Sequence, residues 1–67
     1  MRDVWEAMSD KTRREILSML KERNLSAGEI ADKFNLTKAT VSHHLSVLKA
    51  AGLVDAEKHA QTVVYSL

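Results

Sequence analysis

The chain has 67 residues, a formal net charge of +1 and no cysteine, which suits one small domain over residues 1–67 and excludes disulfides and thiolate metal sites. No apolar run approaches the roughly 20 residues needed to span a membrane. No signal-peptide core follows Met1-Arg2-Asp3, and we therefore expect a cytoplasmic protein.

The first predicted helix is short and runs from Asp3 to Met8. Its apolar side chains stand at positions i, i+1 and i+4, a spacing that places them on one face. These side chains are Val4, Trp5 and Met8.

A second helix is predicted from Lys11 to about Arg23, with Asp10 as its N-cap and Asn24 as its stop. An aspartate suits the cap because its carboxylate accepts hydrogen bonds from free N–H groups at the positive end of the helix dipole. The core stripe of this helix comprises Ile16, Leu17, Met19 and Leu20. The side chains expected to face water are Arg13, Arg14, Lys21 and Glu22.

A third helix is predicted over Ala27–Phe34. Ser26 and Glu29 have the spacing of a capping box, in which each side chain bonds the backbone of the other residue. Asn35 follows the helix and is expected to adopt the left-handed conformation that ends it.

A fourth helix is predicted from Lys38 to about Ala51, with Thr37 as its N-cap. Gly52 stands where the C′ glycine of a Schellman motif belongs. Only three residues, 35–37, separate this helix from the third one, and so short a connection forces the sharp bend of a helix-turn-helix.

The residue pattern changes after Gly52, where β-branched and aromatic residues flank a polar middle. This pattern predicts a hairpin with strands near Leu53–Lys58 and Gln61–Ser66. The turn around His59-Ala60 lacks the Asn or Gly that tight hairpin turns prefer. The predicted fold class is therefore mainly α with a small β-hairpin.

Two adjacent histidines lie in the fourth helix. On a wheel of about 100° per residue, Val41, Leu45 and Leu48 fall within about 60° of one another and must face the core. His43 then points outward, and His44 lies at the border of the core, where we expect it to pack and to hydrogen-bond locally. A two-histidine metal site on a helix needs i, i+4 spacing, so we predict no metal site at this adjacent pair. We also predict no other cofactor.

The outward face of the fourth helix carries no acidic residue, and no Asp or Glu occurs from Lys33 to Lys49. Its side chains are Lys38, Ala39, Thr40, Ser42, His43, Ser46 and Lys49. A merely solvated face usually mixes positive and negative charges. The pattern favours a recognition helix laid in the major groove of double-stranded DNA. No nucleophile, carboxylate pair or phosphate loop at catalytic spacing suggests an enzyme.

Three segments of the chain resemble segments that occur in the same order in the ArsR-type winged helix-turn-helix repressors. Within that family the resemblance is strongest to the SdpR-like autorepressors. The three segments are SDKTRREILSML, LSAGEIADKFNLTKATVSHHLSVLKAAGLV and VVYSL. The resemblance implies a winged-helix repressor that binds DNA, usually as a homodimer on a palindromic operator. Repression would follow from occupying a promoter.

The resemblance also suggests which residues contact DNA. In the recognition helix it indicates Thr37, Lys38, Thr40, Ser42 and His43, with Ser42 and His43 at base edges and Thr40 close by. Phosphate contacts would come from Lys38, Lys49, Arg13, Lys58 and His59. The wing tip would be Lys58 to Gln61, although Ala60 and Gln61 replace the glycine and arginine usual there.

Metal-sensing members of the family use cysteines in the third helix or a cluster in a C-terminal helix, and neither occurs in this chain. The C-terminal helix also normally completes the dimer, which leaves Val4, Trp5 and Met8 for that role unless Trp5 packs on the core. Two alternatives remain: a protein–protein interaction module with a winged-helix shape, or a truncated, monomeric fragment that binds DNA weakly.

Overall fold

The computed structural model describes residues 4–67, and the predicted helices and hairpin are present. The helices are α1 (Val4–Met8), α2 (Lys11–Glu22), α3 (Ala27–Phe34) and α4 (Lys38–Ala50). The strands are β1 (Leu25–Ser26), β2 (Asp55–His59) and β3 (Thr62–Ser66). The predicted helix start at Asp3 lies outside the described residues.

The N-terminal caps of α2 and α4 form as predicted. The Asp10 carboxylate accepts a hydrogen bond from the backbone N–H of Arg13 at 3.0 Å. The Thr37 hydroxyl oxygen accepts one from the backbone N–H of Thr40 at 3.1 Å. Each bond satisfies a backbone donor that the helix itself leaves without a partner. Helix α2 ends at Glu22, one residue earlier than predicted.

Helix α3 is fixed at both ends by local hydrogen bonds. Its capping box is complete, since the Glu29 N–H donates to the Ser26 hydroxyl at 3.2 Å and the Ser26 N–H donates to the Glu29 carboxylate at 2.9 Å. Asn35 has a φ of 55°, and the Leu36 N–H donates back to the Ala31 carbonyl at 3.1 Å. The left-handed residue turns the chain sharply into α4, which confirms the helix-turn-helix.

Helix α4 ends in the predicted Schellman motif. Gly52 has a φ of 78° and donates its N–H to the Lys49 carbonyl at 3.0 Å. The Leu53 N–H donates to the Leu48 carbonyl at the same distance. Because Leu53 is engaged in this motif, β2 begins at Asp55, two residues later than predicted.

The sheet has a third strand that the sequence pattern did not predict. Its order is β1–β3–β2, all antiparallel, with Leu25 opposite Tyr65 and Ser26 opposite Val64. A strand of two residues shows no alternation of its own, so only long-range pairing defines it. This pairing attaches the hairpin to the start of α3.

The hairpin turn consists of Ala60 and Gln61, since His59 pairs with Thr62. The predicted turn, around His59-Ala60, was therefore one residue early. Ala60 has a φ of 57°, a left-handed conformation that costs an alanine roughly 1–2 kcal/mol. The hairpin of β2 and β3, which is the wing of this fold, thus closes without the glycine that such a turn prefers.

The core side of α4 is the predicted ridge, and Val41, Leu45 and Leu48 are each 0% exposed. Val47 is also buried, at 4% exposure, although it lies about 120° from the centre of that ridge on the helical wheel. Both α1 and α2 contact α4, which widens the arc of the helix that is covered. The other buried hydrophobic residues are Ala7, Ile16, Leu20, Leu25, Ile30, Ala31 and Val54.

We expect Leu45→Ala to lower the free energy of unfolding by about 2–5 kcal/mol, because it leaves a cavity at the centre of the core. Urea denaturation followed by circular dichroism measures this loss. Ser46→Ala, one position along on the exposed face, is the control and should change stability by less than about 0.5 kcal/mol. Equal stability of the two variants would contradict the core position of Leu45.

We expect Ala60→Gly to stabilise the domain by up to about 1 kcal/mol, because glycine adopts a positive φ without a steric penalty. Ala50→Gly, at the exposed end of α4, should instead destabilise it by about 0.5–1 kcal/mol. Thermal melts of the two variants test this difference in sign. A lower melting temperature for Ala60→Gly would contradict the strained turn.

Candidate nucleic-acid interface

The outward face of α4 is exposed along its whole length, as its helical spacing requires. His43 is exposed, whereas the His44 side chain is only 14% exposed and lies at the border of the core. The other exposed side chains of this face are Lys38, Ala39, Thr40, Ser42, Ser46 and Lys49. The face therefore presents hydroxyl, imidazole and ammonium groups and no carboxylate.

A cleft of about 360 Å³ lies between the start of α4 and the wing. It brings together three of the predicted DNA-contacting residues, Lys38, Ser42 and Gln61. The rest of its lining comes from β3 and from the residues that begin α3: Ser26, Ala27, Gly28, Thr62, Val63 and Tyr65. Sequence motifs did not indicate these residues as part of the site, although alternation along β3 places Val63 and Tyr65 on one face.

The two basic residues of the wing lie on opposite sides of the hairpin. Lys58 pairs with Val63, which lines the cleft, so the Lys58 side chain stands on the cleft side. His59 instead borders a depression on the other side, together with Asp55 and Glu57. Its Nε2 lies 2.8 Å from the Glu57 carboxylate. The structure therefore gives these two predicted phosphate contacts different surroundings.

Arg13 was predicted to face water, and this prediction is wrong. Its side chain is half-buried against the end of α1. Its Nε donates to the Ala7 carbonyl at 2.8 Å, and its Nη2 donates to the Glu6 carbonyl at 3.0 Å. These bonds satisfy carbonyls that the last turn of a helix leaves open. Sequence spacing cannot show this role, since it depends on how α1 folds back on α2.

His44 lies beside two charged groups at the start of α2, the N-cap Asp10 and Arg13. Its Nδ1 is 3.4 Å from Arg13 Nη1 and 4.0 Å from Asp10 Oδ2. The backbone N–H of Arg13, which donates to the Asp10 carboxylate, holds the pKa of that carboxyl below its ordinary value. The border position that the helical wheel predicts for His44 is confirmed, but its contacts reach residues distant in the sequence and are not the local hydrogen bonds that we expected.

Among residues 4–67, no group of three or more His, Asp or Glu side chains is placed to hold a metal ion. None of the described helices is long and apolar enough to cross a membrane.

Two of the apolar side chains of α1 are exposed to a large degree. Trp5 is 84% exposed and Val4 is 46% exposed, while Met8 is half-buried. The alternative in which Trp5 packs on the core is therefore wrong. An exposed tryptophan is unusual, because this side chain is highly buried on average.

Residues 10–56 match the model of the arsR family of bacterial regulatory proteins. The transcriptional repressor SdpR of Bacillus subtilis is 45% identical over 67 residues, which is all of this chain and 74% of SdpR. The transcriptional activator HlyU of Vibrio cholerae is 42% identical over 62 residues, or 92% of this chain and 57% of HlyU.

Solved structures give the same result. The HlyU structure from Vibrio cholerae superimposes with a TM-score of 0.89 at 41% identity, covering 96% of this chain and 70% of HlyU. The homodimeric winged helix-turn-helix DNA-binding domain of Mb0332 from Mycobacterium bovis superimposes with a TM-score of 0.88 at 27% identity, covering 92% of this chain and 57% of that one. Family and fold both indicate a transcription regulator that binds double-stranded DNA, and not an enzyme. This chain belongs to the arsR family of bacterial regulatory proteins.

Proposed function

We propose that this chain is a sequence-specific transcriptional repressor that inserts α4 into the major groove of its operator. The observation that supports this most strongly is the exposed, acid-free face of α4 beside the cleft that leads to the wing. SdpR is a repressor and HlyU is an activator by name, and the closer similarity over the whole chain is to SdpR. A repressor bound at a promoter would block polymerase. A target on chromosomal DNA agrees with the predicted cytoplasmic location.

The proposed base-reading residues are Ser42 and His43, with Thr40 close by. All three are exposed; His43 lies opposite the buried ridge, whereas Ser42 and Thr40 lie roughly 100° from the centre of that ridge, one on each side. Ala39 and Ser46 lie on the same face, and their small side chains let the helix backbone approach the base edges. Hydroxyl and imidazole groups can donate to, or accept from, bases in the major groove.

The proposed phosphate contacts are Lys38, Lys49 and Lys58, together with Thr37 at the N-cap of α4 and Gln61 in the lining of the cleft. The three lysines are exposed, and Lys38 lines the cleft that Lys58 faces. Such contacts position the protein on the duplex without reading its sequence.

Two predicted phosphate contacts are left out of this set. Arg13 bonds the carbonyls at the end of α1, and His59 faces Glu57 on the far side of the hairpin. Either side chain would have to leave its present partner to reach a phosphate.

We further propose that the 67 residues act as one domain and pair through α1. Val4, Trp5 and Met8 offer an apolar patch for a second copy, and the related domain of Mb0332 is homodimeric. In such a dimer the two recognition helices would reach half-sites about one helical turn, or roughly 34 Å, apart.

Selection of bound duplexes from a random library tests the proposal. A repressor of this kind should enrich a short, palindromic sequence that is then found upstream of a gene and lowers transcription of a reporter. A protein–protein interaction module would enrich no sequence at all. A monomeric fragment would enrich a single half-site and sediment as a monomer at micromolar concentration.

We expect His43→Ala to weaken binding to the selected operator by about 1–3 kcal/mol while leaving binding to random DNA unchanged. Lys49→Ala is the contrasting variant: it should weaken binding to all sequences alike and reduce the slope of log K against log salt by about 1. Fluorescence anisotropy at several salt concentrations measures both effects. An equal loss on random DNA for His43→Ala would contradict its role in base reading.

A further inference from the structure

The Arg13 side chain connects three helices. It belongs to α2, and its guanidinium donates to the Ala7 and Glu6 carbonyls at the end of α1. Its remaining nitrogen, Nη1, lies 3.4 Å from Nδ1 of His44 on α4. One planar group thus joins the helix of the proposed dimer contact to the proposed recognition helix.

We propose that Arg13 is a positioning residue for DNA binding, which orients α4 relative to α1 through His44 and does not itself contact phosphate. This inference rests on the proposed function. It departs from the phosphate contact that the position of Arg13 in the sequence suggests.

The hydrogen bonds of the guanidinium support a positioning role. Each of its three nitrogens has a partner within the domain, and the side chain is half-buried. A fixed, planar group that bonds two consecutive carbonyls holds the end of α1 in one orientation. Moving this group to a phosphate would leave the carbonyls of Glu6 and Ala7 without these donors.

The contact with His44 transmits this orientation to α4. Because a guanidinium nitrogen can only donate, His44 Nδ1 is the acceptor in this contact. His44 adjoins His43 in the sequence, and their ring centroids are 6.0 Å apart. A shift of His44 would therefore change how His43 is presented to a base edge.

Arg14 provides a matched control. It is the next residue of α2, and its Nη1 also caps α1 by donating to the Met8 carbonyl at 2.7 Å. It is exposed, and its bond runs to α1 and not to α4. Changing either arginine to glutamine removes one positive charge at nearly the same place.

The test compares Arg13→Gln and Arg14→Gln in binding to the selected operator between about 50 and 200 mM salt, a range over which the loss of phosphate contacts changes affinity strongly. We expect Arg13→Gln to weaken operator binding about tenfold with an unchanged salt slope, as for loss of a charged hydrogen bond. Arg14→Gln should weaken it about threefold or less. A salt slope reduced by about 1 in Arg13→Gln would show a phosphate contact and overturn the proposal, and so would equal affinities of the two variants.

Two His44 variants test the contact from the other side and leave the bonds of Arg13 to α1 in place. His44→Asn keeps an acceptor where Nδ1 stood and should bind the operator within about twofold of the unchanged protein. His44→Ala should lose about as much affinity as Arg13→Gln. The double variant that carries both His44→Ala and Arg13→Gln should lose little more than either single variant. Equal binding by the Asn and Ala variants, or additive losses in the double variant, would overturn the proposal.

These results are distinguishable from failure of the proposed function. If the unchanged protein enriched no sequence, the repressor proposal itself would fail at the selection step. The Arg13 and His44 comparisons fail or succeed separately, because they begin from an operator that has already been selected. Circular dichroism melts check that each variant is folded. If Arg13→Gln alone unfolds, the two His44 variants still decide between support and contradiction.

Discussion

Burial of one ridge of α4 is the constraint on which the rest of the structure depends. Val41, Leu45 and Leu48 are fully buried, and a helix with three such side chains on one side has little freedom to rotate about its axis. That rotation decides which residues face outward. It exposes His43, leaves His44 at the border of the core, and turns the acid-free face toward the solvent. The proposed DNA interface is thus a consequence of core packing.

The elements around α4 limit its other degrees of freedom. Asn35 and Thr37 set where α4 begins relative to α3, and Gly52 ends it where the chain enters the hairpin. Pairing of β1 with β3 attaches the hairpin to α3, so the wing and the start of α4 border one cleft. Hydrogen bonds from the Arg13 guanidinium to the carbonyls of Glu6 and Ala7 attach α1 to α2.

Features that depend on residues close in sequence could be predicted, and features that depend on long-range contacts could not. The caps at Asp10, Ser26 and Thr37 and the Schellman glycine each involve groups within five residues, so spacing alone identified them. The two-residue strand β1, the burial of Val47 and the bonds of Arg13 all require elements that are distant in the sequence. The candidate site divides in the same way: the face of α4 follows from helical period, whereas the different surroundings of Lys58 and His59 follow from the register of the sheet.

Backbone amide chemical shifts recorded during titration with the selected operator duplex test the central claim most directly, because they report on every part of the surface at once. The proposed interface predicts that the largest shift changes occur from Thr37 to Lys49 on the outward side of α4, with smaller ones at Lys58 and Gln61. The buried ridge should change little. Changes concentrated on the outer face of the sheet around Asp55 and Glu57, with α4 unaffected, would contradict it.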